Sequence, residues 1–235
     1  EKRGMYVIRW KQTEQIEHKE EKEKLAKKIA ERVKEGEIIG FGSGTTSYLA
    51  TLAIGRKIKE EGLHIKAIPT SDAIESLCKK LEIPVTSLEQ ETPNWCFDGA
   101  DEVDSQGNMI KGMGAAMFRE KLNMVNSREN YILIDSSKRV DKLGEKHPIP
   151  IECEKRAANY VLEKVKALGA KKLEWRYQEE ESSNQLDTKF VTDNGNYILH
   201  AWFDEIPSSL EKDLKQIVGV IETGLFIGYP IHIIQ

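Results

Sequence analysis

The sequence predicts an α/β protein: a parallel sheet covered on both faces by helices, with a smaller α+β domain set into its C-terminal part. Three observations carry this expectation. Short apolar runs alternate with amphipathic stretches from about residue 20 to residue 135. After His147-Pro148 the order changes to β-α-β-β-α-β. Within that second part, Asp193-Asn-Gly-Asn196 sits between two apolar runs as a strong hairpin signal.

The elements follow in order. Residues 20–35 read as a charged helix with Leu25, Ile29 and Val33 on one face, and Gly36 ends it. Glu37–Phe41 is a short strand, and Ser47 to Glu60 is helical. Leu63–Ile68 is a strand, Asp72–Leu81 a helix and Pro84–Thr86 a further strand. Asn94–Phe97 and Tyr131–Asp135 complete a Rossmann-like parallel sheet. Beyond it, Ile149–Glu154 is a strand, Lys155–Leu168 a helix and Lys172–Tyr177 a strand. Phe190–Thr192 and Tyr197–Phe203 flank the hairpin turn, Ser208–Ile217 is a helix and Val220–Phe226 a strand. Allowing one short extra strand at 190, this is a ferredoxin-like order. The expected domains are an extension at 1–20, an α/β catalytic domain at 21–147 plus 221–235, and the α+β domain at 148–220. In the extension, Glu1–Trp10 reads as a short strand, and Glu179–Asn184 reads as a polar loop.

Composition narrows the function class. A hydrophobic content of 39% over 235 residues supports a real core, and a net charge of −4 argues against nucleic-acid binding. The three cysteines, Cys78, Cys96 and Cys153, are far apart and form no CxxC or Cys/His cluster. Neither a zinc site nor a disulfide framework is expected, and a reducing cytoplasm is the natural setting. No apolar run approaches the length of a membrane span.

The most informative stretch is Asp98-Gly-Ala-Asp-Glu-Val-Asp104, followed by Ile110-Lys-Gly-Met-Gly-Ala-Ala-Met-Phe-Arg-Glu-Lys121. Carboxylates move protons, a lysine stabilises negative charge and glycines allow close backbone approach, which suits proton transfer on an anionic substrate. A weak Mg²⁺ site or a solvated acidic turn is the plainer alternative for Asp98, Asp101, Glu102 and Asp104, although the spacing is not that of a calcium loop. Glu120 has Ala116, Met117, Asn123 and Met124 as its helical neighbours. A carboxylate there is partly desolvated, which raises its pKa toward that of a useful base, unless it pairs with Arg119 or Lys121. Gly40-Phe-Gly-Ser-Gly-Thr-Thr-Ser47 leaves a strand and opens a helix. It is either an anion cradle or a tight turn with a Ser/Thr cap. Pro69-Thr-Ser-Asp72 reads as a helix cap, and Lys138 follows a strand end, where α/β sheets place ligands. The histidines share no spacing and carry no assigned chemistry.

Taken together, Gly42-Ser-Gly-Thr-Thr46, Pro69-Thr-Ser-Asp72, Asp98-Gly-Ala-Asp-Glu102, Lys111-Gly-Met-Gly114, Arg119-Glu-Lys121, Asp135-Ser-Ser-Lys138 and Val191-Thr-Asp-Asn-Gly-Asn196 resemble ribose-5-phosphate isomerase of the A type, in order, from about residue 20 to 228. The resemblance implies interconversion of ribose 5-phosphate and ribulose 5-phosphate with no metal or organic cofactor. It assigns the catalytic base to Glu120 and the phosphate-and-sugar loop to Ser43, Gly44, Thr45 and Thr46. It assigns substrate contacts to Asp98, Gly99, Ala100 and Asp101, to Lys111, Gly112, Met113 and Gly114, to Lys138, and to Lys22 in the first helix. Three departures stand out: Met113 replaces a usual glycine, residues 1–20 have no counterpart, and the ending Gly228–Gln235 is short.

The implied chemistry is transfer of the C2 proton to C1 through a cis-enediolate. Glu120 carries the proton, Lys111 and the N–H groups after it stabilise the oxyanion, and Asp98 or Asp101 relays the hydroxyl proton. Two rivals are a sugar-phosphate sensor with no catalysis and a related phosphosugar deaminase or coenzyme A transferase. The expected partner is a small sugar phosphate, with no nucleic acid and no membrane. Trp175, Tyr177, Tyr197, Ile198, Leu199, Ala201, Trp202 and Phe203 read as more apolar surface than two helices cover, and the resemblance implies a homodimer or homotetramer.

Overall fold

The computed structural model describes residues 16–178 and 188–235. The strand expected at Glu1–Trp10 and the polar loop at Glu179–Asn184 lie outside these residues. The elements run, in chain order, α1 (Lys19–Glu31), β1 (Ile38–Phe41), α2 (Thr45–Glu61), β2 (Lys66–Pro69), α3 (Asp72–Lys80), β3 (Trp95–Gly99), β4 (Glu102–Val103), β5 (Met109–Ile110), α4 (Met117–Asn126), β6 (Glu129–Leu133), β7 (Ile149–Cys153), α5 (Ala158–Ala167), β8 (Lys172–Trp175), β9 (Tyr197–Trp202), α6 (Leu210–Lys215), β10 (Val220–Thr223), β11 (Leu225–Phe226) and β12 (His232–Ile234). They form two compact units. The first holds the described residues up to Gly99, Arg119–Ser137 and Pro230–Gln235, and the second holds Ala100–Phe118 and Lys138–Tyr229.

The first unit is built on a parallel sheet in the order β12-β6-β3-β1-β2. Its strands are apolar because helices cover both faces. Leu25, Ile29 and Val33 of the α1 region join Ile39, Phe41, Ile54, Ile74 and Phe97 in one core, as their four-residue spacing requires. The chain passes from β1 through α2 to β2 on one side, then through α3 to β3 on the other side of β1. The strand order therefore reverses between β1 and β3, and in an open α/β sheet that switch point is where ligands bind. The strand expected at Pro84–Thr86 shrinks to a single bridge between Ala67 and Val85, since Pro84 has no N–H to donate. β12 was not expected; it pairs in parallel with Tyr131–Leu133.

The second unit carries an antiparallel sheet in the order β10-β7-β9-β8. Each βαβ crossover leaves a gap that another strand fills: β9 lies between β7 and β8, and β7 between β9 and β10. Ile149, Ile151, Val161, Val165, Leu199, Ala201, Leu210 and Leu214 form its core. The short strand expected at Phe190–Thr192 is absent; only Tyr177 and Lys189 bridge. Side chains hold that segment instead. Buried Glu152 accepts from Thr192 Oγ1 at 2.7 Å and from Asn196 Nδ2 at 3.0 Å. The expected turn at 193–196 forms, with Thr192 N donating to Asn196 O at 2.9 Å.

The units divide elsewhere than at the expected boundaries of 147/148 and 220/221. β4, β5 and β11 make a small three-stranded sheet, and Ile110 and Leu225 share the core of Ile149 and Ile151. Apolar burial therefore draws residues 100–118, 138–147 and 221–229 into the second unit. The single strand expected over Val220–Phe226 breaks at Gly224. That residue accepts from Lys111 N at 2.8 Å and donates to Pro150 O at 2.7 Å, and a Cβ there would lie 2.1 Å from Lys111 O.

The apolar surface expected on the antiparallel sheet also changes. Strand alternation splits those residues between two faces. Leu199, Ala201 and Phe203 are core, with Trp175 and Tyr197 packed against it, while Ile198 is buried on the other face. Lys172 Nζ lies 4.5 Å from the Trp202 ring centroid. Only Tyr177 of the set is exposed. The cysteines are buried and free, and burial pushes the Cys78 and Cys153 thiols up to about 12, which leaves them inert as nucleophiles. Among the described residues no helix is long and apolar enough to cross a membrane.

Candidate active site

The first unit gathers one set of expected residues at the switch point of its sheet. The chain leaves β1 at Phe41 and turns through Gly42-Ser43-Gly44 into α2. β3 ends beside it with Asp98, which is 4% exposed. Asp98 Oδ1 accepts from Ser43 N at 3.2 Å, from Ser47 Oγ at 3.3 Å and from Gly99 N at 2.8 Å. Gly42 is required here, because a Cβ would fall 2.4 Å from Asp98 Oδ1 and 2.6 Å from Asp98 Cα.

α2 starts without a side-chain cap at Gly44, and its ladder begins with Tyr48 N on Gly44 O at 2.8 Å. The first-turn N–H groups are left for an acceptor from outside the helix, at its positive end. Lys22 of α1 is buried at 6% and donates to Thr45 Oγ1 at 3.0 Å. Glu21 accepts from Ser136 N at 2.9 Å and ties α1 to the Asp135-Ser-Ser-Lys138 turn. Lys138 itself is half-buried.

Glu120 stands in the first turn of α4 and is 6% exposed. Its helical neighbours Met117, Asn123 and Met124 are buried too, while Leu122 and Val125 are exposed. Two contacts fix this part of the helix. Arg119 donates to Asp72 Oδ1 at 2.9 Å, and Asn123 Nδ2 donates to Ile68 O at 2.9 Å. Arg119 thus pairs with α3.

The second unit holds the other expected residues. Lys111 is 2% exposed, with Nζ 5.6 Å from the Phe226 ring centroid. After it the chain turns tightly: Ala115 N donates to Gly112 O at 2.8 Å, and Ala115 takes φ 63. A left-handed backbone is strained for a residue with a side chain, so neighbouring contacts must hold it. In the same turn Asp101 Oδ2 accepts from Met113 N at 3.1 Å. Met113, the departure from the usual glycine, is half-buried and Gly114 is exposed.

The acidic stretch separates into different tasks. Glu102 is fully buried and accepts three backbone N–H groups, from Gly144, Lys146 and His147, each at 2.7 Å. Burial pulls its carboxyl upward, but His147 and those N–H groups outweigh it and hold it below the usual range. Asp104 accepts from Gln106 N and Asn108 N, both at 2.9 Å, and closes its own turn. Both carboxylates are committed to the backbone. Among the described residues no group of three or more His, Cys, Asp or Glu is placed to hold a metal ion.

Sequence reading missed the hydroxyl network. Ser71 caps α3 as expected, accepting from Ile74 N at 3.3 Å. Ser43 Oγ also lies 2.8 Å from Ser71 Oγ and 2.7 Å from Thr70 Oγ1. The cap motif hid this second use. Arg176 was missed as well, and it bonds the Met113 carbonyl.

The fold and these clusters define a class: a two-unit α/β protein with an uncapped, glycine-opened helix start on a buried aspartate at the sheet's switch point. Relatives supply the particular family. Residues 66–234 match ribose 5-phosphate isomerase A (phosphoriboisomerase A). Ribose-5-phosphate isomerase A of Thermoplasma acidophilum is 38% identical over 221 residues, covering 93% of this chain and 89% of that one. The solved ribose 5-phosphate isomerase A of Methanocaldococcus jannaschii is 34% identical with a TM-score of 0.84, covering 91% of this chain and 93% of its own. A solved D-ribose-5-phosphate isomerase in complex with phospho-erythronic acid matches with the same identity, coverage and score. The chain belongs to the ribose-5-phosphate isomerase A family.

Proposed function

We propose that this protein interconverts ribose 5-phosphate and ribulose 5-phosphate by base-catalysed proton transfer. The observation that carries the reading is the Gly42–Thr46 loop folded onto Asp98, with Lys22 on Thr45 and an uncapped helix start. That arrangement suits a phosphate, whose binding energy positions the reacting carbons. Ser43, Gly44, Thr45, Thr46, Lys22 and Lys138 hold the phosphorylated sugar, and Gly99, Ala100, Gly112, Met113 and Gly114 are its further contacts by family likeness.

Glu120 removes the C2 proton and returns it to C1. Both positions are acidic because the carbonyl of the open chain delocalises the charge into a cis-enediolate. Lys111 and the N–H groups after it stabilise that oxyanion, and Asp98 and Asp101 serve the hydroxyl protons and ring opening. Phospho-erythronic acid presents a carboxylate where the enediolate would carry its two oxygens, so it serves as an intermediate mimic.

The test is direct. Incubation with ribose 5-phosphate produces ketose absorbance at the same rate with and without EDTA, since Glu102 and Asp104 are committed elsewhere. Loss of activity on chelation, with rescue by a divalent ion, overturns the metal-free route. Binding without turnover makes the protein a sensor.

We further assign it to the cytoplasm, consistent with three buried free thiols, and to a homodimer or homotetramer. Light scattering at micromolar concentration should give a multiple of 26.8 kDa; a monomer mass refutes the assembly alone.

A further inference from the structure

We propose that Arg176 is a positioning residue for the reaction: it orients and polarises the Met113–Gly114 peptide, whose N–H serves the developing oxyanion. The inference rests on the isomerase reading above.

Arg176 follows directly on β8 and is half-buried. One guanidinium nitrogen, Nη1, donates to Met113 O at 2.6 Å. Met113 N donates to Asp101 Oδ2 at 3.1 Å. One residue of the substrate loop is therefore gripped by a cation on its carbonyl and an anion on its amide. A cation on a carbonyl oxygen draws electron density through the resonant peptide and strengthens the next N–H as a donor. That N–H belongs to Gly114. It has no acceptor among the described residues, and a Cβ at Gly114 would meet nothing within 4 Å. The peptide is thus polarised on one side and open on the other.

Arg176 is itself held by further contacts. Arg176 N donates to Ile198 O and Phe190 N donates to Arg176 O, both at 2.9 Å. The guanidinium carbon lies 4.4 Å from the Phe190 ring centroid. The backbone bonds hold the residue, and the ring and the Met113 carbonyl hold its planar fork, so little reorganisation is needed as charge develops. An arginine that only stapled the loop would not affect the transition state more than the bound substrate, and that difference can be measured.

The full-length protein is compared with Arg176→Met, Arg176→Lys and Phe190→Leu, the last of which removes the ring and keeps the charge. For each, kcat and KM on ribose 5-phosphate, Kd for phospho-erythronic acid, Kd for inorganic phosphate and the melting temperature are measured. Arg176→Met should lower kcat by about 10-fold, below the roughly 10²–10³ of a direct oxyanion donor because the effect is relayed. KM should stay within about 3-fold, and affinity for phospho-erythronic acid should fall by the same factor as kcat/KM. Phosphate affinity should not change. Arg176→Lys should retain part of the rate, and Phe190→Leu should show a smaller loss of the same pattern. If Arg176→Met does not fold, the Lys and Leu variants decide alone by that pattern. Unchanged kcat, a kcat loss without loss of mimic affinity, or an equal loss of phosphate affinity overturns the inference. A wild type without turnover defeats the isomerase reading and this one together; an active wild type with unaffected variants defeats this one only.

Discussion

Glu120→Gln lowers turnover on ribose 5-phosphate by about 10²–10⁴-fold and leaves KM within a few-fold, because a positioned general base supplies roughly that factor. The substitution keeps the shape of the side chain and removes only its ability to take the proton. The environment argues that the loss sits in kcat. Glu120 is 6% exposed, and its helix is held at Arg119 by Asp72 and at Asn123 by the Ile68 carbonyl. Those anchors do not depend on the carboxylate, so the variant should fold and bind. The decisive reading is isotopic as well as kinetic. In deuterated water the wild type should label the sugar at the transferred position, and the variant should not. Near-normal turnover or labelling in Glu120→Gln would remove it from the role of base.

How much of this was open to sequence reading depends on the range of the interactions. The α1 face of Leu25, Ile29 and Val33 was legible because helical spacing and burial coincide. The Ser71 cap was legible because a cap acts over three residues. β4, β5 and β11 span two residues each, too few for any periodicity to register. The unit boundaries followed from them, since Ile110 and Leu225 join a core that no local pattern announces. The candidate residues were legible through motif resemblance, but their contacts were not. Arg176 reaches Met113 across 63 positions of sequence, and from its own neighbours, Trp175 and Tyr177, it reads as one polar residue on a strand. Pairing of that range is decided by topology alone. The aromatic residues of β8 and β9 misled for a related reason: composition counts apolar residues, but the pleat deals them to two faces.

The acidic stretch gives the sharpest contrast between a residue of the fold and a residue of the chemistry. Glu102→Gln should destabilise the protein by about 3 kcal/mol while the folded fraction keeps kcat within about 3-fold. Asp101 lies just before β4 and Glu102 is its first residue. Asp101 serves the 111–114 loop through Met113 N, and Glu102 serves the 144–147 loop through three N–H groups at 2.7 Å. A carboxylate can accept all three donors on its two oxygens. A glutamine offers one oxygen and turns an NH₂ toward a donor, leaving at least one buried N–H unmet. The pH dependence carries the same sign. The Glu102 carboxyl is held below its ordinary value, so its stabilisation is fully present above the unfolded pKa and is lost as pH falls through the lower folded one. Wild-type stability should decline through that acid range, and the variant's should decline less. Urea midpoints at neutral and acid pH, with kcat measured on each protein below its transition, separate the two roles. A stable Glu102→Gln with lost turnover would move Glu102 into the active site and out of the scaffold.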